Sequence, residues 1–120
     1  MTWLARVTSM AMVVATPAFA HHGWGGNAEQ VTSMTGIVVQ GVSMSGPHAT
    51  MKVKVDADVW DITLAPPARA ARSGLAEGLI PVGATVTVHG NKNLDAKRHE
   101  MKTIFVQYGD RQFHVYPERE

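Results

Sequence analysis

Only one segment of this sequence has the composition of a helix, and that limits the possible folds severely. Pro66-Pro67 can begin a helix because proline fits the first helical position. Residues 68–72 have good helix propensity, and Gly74 is well placed to end the helix. The other patterned segments are rich in β-branched residues or alternate between apolar and polar side chains, which is typical of strands. The chain is therefore predicted to be mainly β.

The strand predictions divide the chain into two hairpins and two single strands. Residues 51–56 and 59–64 alternate around a turn at Ala57-Asp58 and form the first hairpin. The second hairpin joins residues 101–108 to residues 112–116 through a turn at 109–111. The single strands are residues 35–44 and residues 84–89, and in the latter Val86 and Val88 are expected to face inward. Residues 90–100 are predicted to be a polar loop.

This order of elements predicts a small five-stranded OB-like barrel with one short helix between strands 3 and 4. The first strand of such a barrel must bend sharply to serve both ends of the sheet. Gly36 and Gly41 lie in the first predicted strand and would permit the bend. A small β-sandwich is the competing architecture.

The first twenty residues have the features of a signal peptide. Arg6 gives a positive start, residues 7–19 are mostly apolar but too short to span a membrane, and Ala18 and Ala20 form an A-x-A cleavage site. We therefore expect residues 1–20 to be cleaved and the product to be periplasmic or secreted from a bacterium. Residues 21–30 are predicted to be a flexible arm and residues 31–120 a single domain with no transmembrane segment.

Charge and cysteine content narrow the function classes. Cleavage removes Arg6 and leaves ten basic against ten acidic side chains, with no run of like charge. Nucleic acid is therefore not an expected partner. The chain has no cysteine, so an exported domain of this size must be stabilised by its core, by a metal or by a partner.

The expected mature N-terminus is a candidate metal site. If cleavage follows Ala20, His21 carries a free amine and an imidazole that can chelate one ion, and His22 adds a second ring. His48, fixed locally by Pro47, is the best further ligand. Nitrogen donors in this arrangement favour Cu(II), so copper is the predicted cofactor. In the competing interpretations, His21-His22 is a polar disordered start and His48 hydrogen-bonds to backbone.

Other candidate residues have ordinary structural explanations. Met44 and Met51 could add thioethers for Cu(I), but methionine more often fills a core. His89, His99 and His114 are expected to be partly exposed or solvated. Arg69 and Arg72 could receive an anion or simply lie on a solvated helix face. Trp24 could cover the histidines or pack on the barrel.

No pattern for nucleophilic, metalloprotease, P-loop or dinucleotide chemistry is present in the sequence, so an enzyme is not predicted. The sequence predicts a periplasmic copper-binding protein acting as a chaperone, scavenger or sensor. The alternative is a metal-free OB-like module that binds a protein or small ligand in the cell envelope.

Several motifs together resemble an uncharacterised family of small exported bacterial proteins. They include His21-His22-Gly23, the segment 46–50 with its Pro-His pair, and the arginines that follow Pro66-Pro67. The resemblance covers nearly all of the expected mature chain and implies export and a small β-domain, without an activity. Members of that family usually carry asparagine before the Pro-His pair, whereas this chain has Gly46.

Overall fold

The computed structural model describes residues 24–120, which form six strands, one α-helix and one turn of 3-10 helix. The predicted signal peptide, His21 and His22 lie outside the described residues. The bounds of the elements, in chain order, are β1 Thr32–Ser43, β2 Thr50–Val55, β3 Asp58–Thr63, α1 Pro67–Arg72, β4 Thr85–Lys92, β5 Glu100–Tyr108, β6 Arg111–His114 and the 3-10 turn Pro117–Arg119.

The sheet closes into a barrel through one parallel pairing. Its strands follow the order β3-β2-β1-β4-β5-β6, with antiparallel neighbours throughout. In addition, β3 pairs in parallel with β5, matching Ile62 with Met101, so that strands β1 to β5 form a closed ring. The helix lies between β3 and β4. The predicted five-stranded OB-like barrel is confirmed, and the β-sandwich is wrong. Within residues 24–120, no helix is long and apolar enough to cross a membrane.

Strand β1 serves both sides of the barrel, as the glycines in it predicted. Its first half pairs with β4 up to Ile37, and its second half pairs with β2 from Ile37 onward. The register with β2 shifts between Val38 and Gln40 and again before Ser43. At Gly36 a Cβ atom would collide with the carbonyl oxygen of Lys54. The absence of a side chain at Gly36 therefore allows the two backbones to approach closely.

The barrel interior is filled by side chains that face inward at alternate positions along each strand. Val86 and Val88 are fully buried, as their spacing predicted. The largest buried side chains come from every strand of the ring and from the segments that follow β3, α1 and β6: Val38, Met51, Val53, Ile62, Leu64, Ile80, Val86, Val88, Met101, Ile104, Val106 and Val115. Met51 is completely buried, and Met44 packs against the core, which confirms the structural interpretation of both methionines.

Strand β4 is longer than the sequence predicted. Gly90, Asn91 and Lys92 continue the ladder with β5, although their polar composition had suggested a loop. The register shifts at Gly90, where a Cβ atom would meet the carbonyl oxygen of Lys102. The Asn91 side chain is buried yet hydrogen-bonded to the N-terminal segment, with its Nδ2 donating to Ala28 O at 2.9 Å. The Nδ2 group of this buried amide is therefore paired, whereas its Oδ1 has no hydrogen-bond partner within residues 24–120.

The close approach at Gly36 generates a stability prediction. We expect Gly36→Ala to lower the free energy of unfolding by about 2 kcal/mol, because the new methyl group must displace backbone rather than a flexible side chain. Gly41→Ala in the same strand is the matched control, since its Cβ would lie 3.5 Å from Ile80 O, an ordinary contact. Urea denaturation followed by tryptophan fluorescence measures both. Equal stability of the two variants would contradict the proposed close approach.

Candidate functional site

His48 is the only predicted metal ligand among the described residues. It is exposed in the loop between β1 and β2. The next residue, Ala49, is fully buried, and its N–H donates to Ala65 O at 2.9 Å while its carbonyl accepts from Leu64 N–H at 2.8 Å. These two bonds tie the base of the loop to the end of β3, so the position of His48 is set by the barrel.

His48 borders a small cleft that is also bordered by Trp24. The cleft has a volume of about 30 Å³, and its lining comes from five separate parts of the chain: Trp24, His48, Thr63, Leu64, Lys102 and Tyr116. The sequence placed Trp24 either over the histidines or against the barrel. In the structure it packs on the barrel and at the same time reaches the cleft that His48 lines.

Aromatic and cationic groups hold Trp24 in place. Its ring meets Tyr116 edge-on, with centroids 5.2 Å apart. The Arg119 guanidinium lies 3.9 Å from the centroid of the Trp24 ring, and the Lys102 ammonium lies 5.4 Å from it. Cations over an indole face are attracted by the ring quadrupole, so both contacts stabilise this position of Trp24.

Hydrogen bonds fasten the segment that follows Trp24 to the end of β4. Ala28 N–H donates to Lys92 O at 2.8 Å, and Asn27 Nδ2 donates to Asn91 O at 2.8 Å. Leu94 N–H donates to Gly26 O at 2.9 Å. Residues 24–30, the described part of the predicted flexible arm, thus lie against the barrel. Polar side chains and backbone groups make these contacts, which is why an apolar pattern could not reveal them.

The cleft is bordered by positive charge. Burial lowers the pKa of Lys102, and the nearby Arg119 lowers it further by charge repulsion. Burial also raises the pKa of the Tyr116 phenol, over which the Arg69 guanidinium lies at 4.8 Å. A metal ion bound beside His48 would therefore be opposed by neighbouring cations. Within residues 24–120, no three histidine or carboxylate side chains form a group that could hold a metal ion. A metal site at His48 would therefore need ligands from outside the described residues.

A second group of histidines is organised by strand register. His89 on β4 is paired with Phe105 on β5, and Phe105 is paired with His114 on β6. The His89 and Phe105 rings stack at a centroid distance of 3.8 Å, and the Phe105 and His114 rings at 5.2 Å. The alternation of side chains along each strand predicts which face of its strand each ring occupies. Only the register between neighbouring strands brings the three rings together.

The two imidazoles of this stack have different surroundings. His89 Nδ1 shares a hydrogen bond of 2.5 Å with Ser33 Oγ, while its Nε2 is buried without a partner within the described chain. His114 pairs with Glu120 through Nδ1 and with Gln112 through Nε2. Burial lowers the pKa of His89, and the charge of Glu120 acts in the opposite direction. The remaining described histidine outside this stack and the His48 cleft is His99, whose ring packs against Trp60 with centroids 5.0 Å apart and planes tilted by 36°.

The comparison with protein families gives one match. Residues 10–102 match the Family of unknown function (DUF6152), more than half of the chain. The protein belongs to this family. The matched range includes His21, His22 and His48 as well as β1 to β4, so it confirms the resemblance to an uncharacterised family seen in the sequence. A search of the curated proteins found no match for the chain.

The half-buried imidazole of His89 generates a pH prediction. Because its pKa is lowered in the folded state, the unfolded chain binds the proton more readily, and the free energy of unfolding should fall as the pH drops below about 6.5. We expect His89→Gln to flatten this dependence. Urea denaturation at about pH 7.5 and about pH 5.5 measures it. Thr85→Gln, an exposed substitution on the same strand that changes no titratable group, is the control and should retain the wild-type slope. An unchanged slope in His89→Gln would rule out this histidine as the source.

Proposed function

We propose that the protein is a periplasmic copper-binding protein whose metal is held by His21, His22 and His48. After cleavage behind Ala20, His21 would supply its amine and its ring, with the other two histidines supplying imidazoles. This role as chaperone, scavenger or sensor is one of binding rather than catalysis.

The observation that supports the proposal is the shared cleft of Trp24 and His48. His22 and His21 precede Trp24 by two and three residues. A chain spans at most about 3.6 Å per residue, so both lie within about 11 Å of Trp24 along the backbone. His48 is therefore within reach of two histidines that the sequence places far from it. Fastening residues 24–28 to the barrel reduces the entropy that would be lost when these ligands converge.

The donor set suits Cu(II) rather than a hard cation. Imidazole and amine nitrogens in a tetragonal arrangement favour cupric ion. An α-amine titrates near pH 8, so it loses its proton to the metal at moderate cost, and affinity should weaken as the pH falls.

Titration calorimetry of the processed protein with Cu(II) tests the proposal. An added glycine before His21 removes the chelating amine geometry, and His48→Ala removes one imidazole. We expect each change to raise the Kd about tenfold or more, equivalent to the loss of at least about 1.4 kcal/mol. His99→Ala, which removes an imidazole outside the cleft, is the matched control and should leave the Kd unchanged. Equal, weak affinity in the wild type and the glycine-extended protein would refute the proposal.

The cations around the cleft give a second, independent prediction. Lys102 and Arg119 oppose a bound cation, so screening should strengthen copper binding as ionic strength rises in a non-coordinating salt. For the same reason Lys102→Gln should lower the Kd severalfold, whereas Lys97→Gln in the exposed loop should not. Calorimetry at low and high ionic strength measures both. Weaker binding at high salt would place the copper ion away from these cations.

The alternative proposal is a metal-free interaction module, and the outer face of the barrel supports it. The register lines up Ile37, Lys54 and Val59 across three strands, and Ile37 and Val59 are 42% and 46% exposed. A His21→Ala/His22→Ala variant distinguishes the two proposals. Partners from a periplasmic extract that bind this variant as well as the wild type would favour the module, and copper-dependent capture would favour the metal protein.

A further inference from the structure

A second, larger cavity shares no lining residue with the His48 cleft. It has a volume of about 340 Å³ and lies between the end of α1 and the segment at the end of β6. Its lining is mostly cationic or polar: Arg69, Arg72, Ser73, His114, Val115 and Pro117. Small-molecule sites begin at about this volume.

Two of the three basic side chains in the cavity already pair with carboxylates of the chain itself. Arg69 pairs with Glu118, and His114 pairs with Glu120. Both carboxylates come from the short segment around the 3-10 turn Pro117–Arg119. The hydrogen bond between Arg69 and Glu118 raises the pKa of the arginine and lowers that of the carboxylate. The cavity is therefore complementary to carboxylate oxygens at two positions.

The third cation has no such partner. Arg72 lines the cavity, is exposed, and pairs with no carboxylate within residues 24–120. A guanidinium presents a planar set of donors that matches carboxylate and phosphate oxygens in a bidentate manner. The Ser73 hydroxyl donates to Ala70 O at 2.6 Å, so it is not a free donor. Recognition in the cavity would depend on the two arginines and His114.

We propose that this cavity binds a small, multiply charged oxyanion, held by Arg72 and by Arg69 after the anion displaces Glu118. The ligand class comprises phosphate-bearing and polycarboxylate molecules, which share this arrangement of oxygens. Glu118 and Glu120 occupy the positions of the anion when it is absent. An exposed ion pair contributes little to stability, so its displacement by a doubly charged ligand costs little.

Calorimetry on the copper-free protein at constant ionic strength tests the proposal, with inorganic phosphate and citrate as the two probes. Because copper is absent, the result is independent of the proposed metal function. We expect saturable binding that Arg72→Gln weakens about tenfold, since a charge-assisted hydrogen-bond pair is lost. Arg98→Gln, an exposed arginine outside the cavity, is the charge-matched control and should bind as the wild type does.

A variant without the Glu118 carboxylate distinguishes a specific anion site from binding to general surface charge. Glu118→Gln should lower the Kd severalfold, whereas Asp110→Asn, the same charge change in the exposed turn after β5, should have a smaller effect. The His114 imidazole signals in an NMR titration should shift with the same Kd. Preference for citrate over phosphate identifies a polycarboxylate ligand, and the reverse a phosphate. Equal binding by the wild type and Arg72→Gln, or an equal gain in both acidic variants, would overturn the proposal.

Discussion

The parallel pairing of β3 with β5 is the contact on which the rest of the structure depends. Without it the strands would form an open sheet, and the apolar side chains that fill the barrel would have no common interior. The ring is tight enough that the backbones of neighbouring strands nearly touch at Gly36 and at Gly90. Burial of many aliphatic side chains in this interior, at about 25 cal/mol per Å² of apolar area, replaces the disulfides that the chain lacks.

Closure of the ring also forms the His48 cleft. The loop that carries His48 is anchored to the end of β3, and Lys102 follows Met101 in the strand that β3 pairs with. The cleft is thus assembled at the seam of the barrel. The cations at its border would repel a metal ion, whereas the His48 imidazole would attract one. Ionic strength is therefore a sensitive test of the proposed copper site. The Arg72 cavity has no such conflict, because its charges and its proposed ligand are complementary.

The sequence predicted the barrel well because each strand carries a local signal. Val86 and Val88 alternate with polar neighbours, and the helix stands alone between strands. Two alternating runs also revealed the first hairpin, although its turn lies at Asp56-Ala57, one residue before the predicted Ala57-Asp58. The extension of β4 through Asn91 was not predicted because the Asn91 side chain hydrogen-bonds to the N-terminal segment and does not contribute an apolar group to the core. The His89–Phe105–His114 stack depends on registers between three strands, which no single segment encodes. The proposed ligands His21 and His22 lie outside the described residues, and the copper site stays a prediction.

The contact of Trp24 with Tyr116 and Arg119 has a consequence for the architecture of longer proteins. This contact brings the first and the last described residues together, so the two ends of the described chain lie on the same side of the barrel. Domains with adjacent ends tolerate circular permutation and transplantation into host loops. We therefore expect that the whole barrel can be inserted into a loop of another protein through short spacers, without disrupting the pairing of its strands.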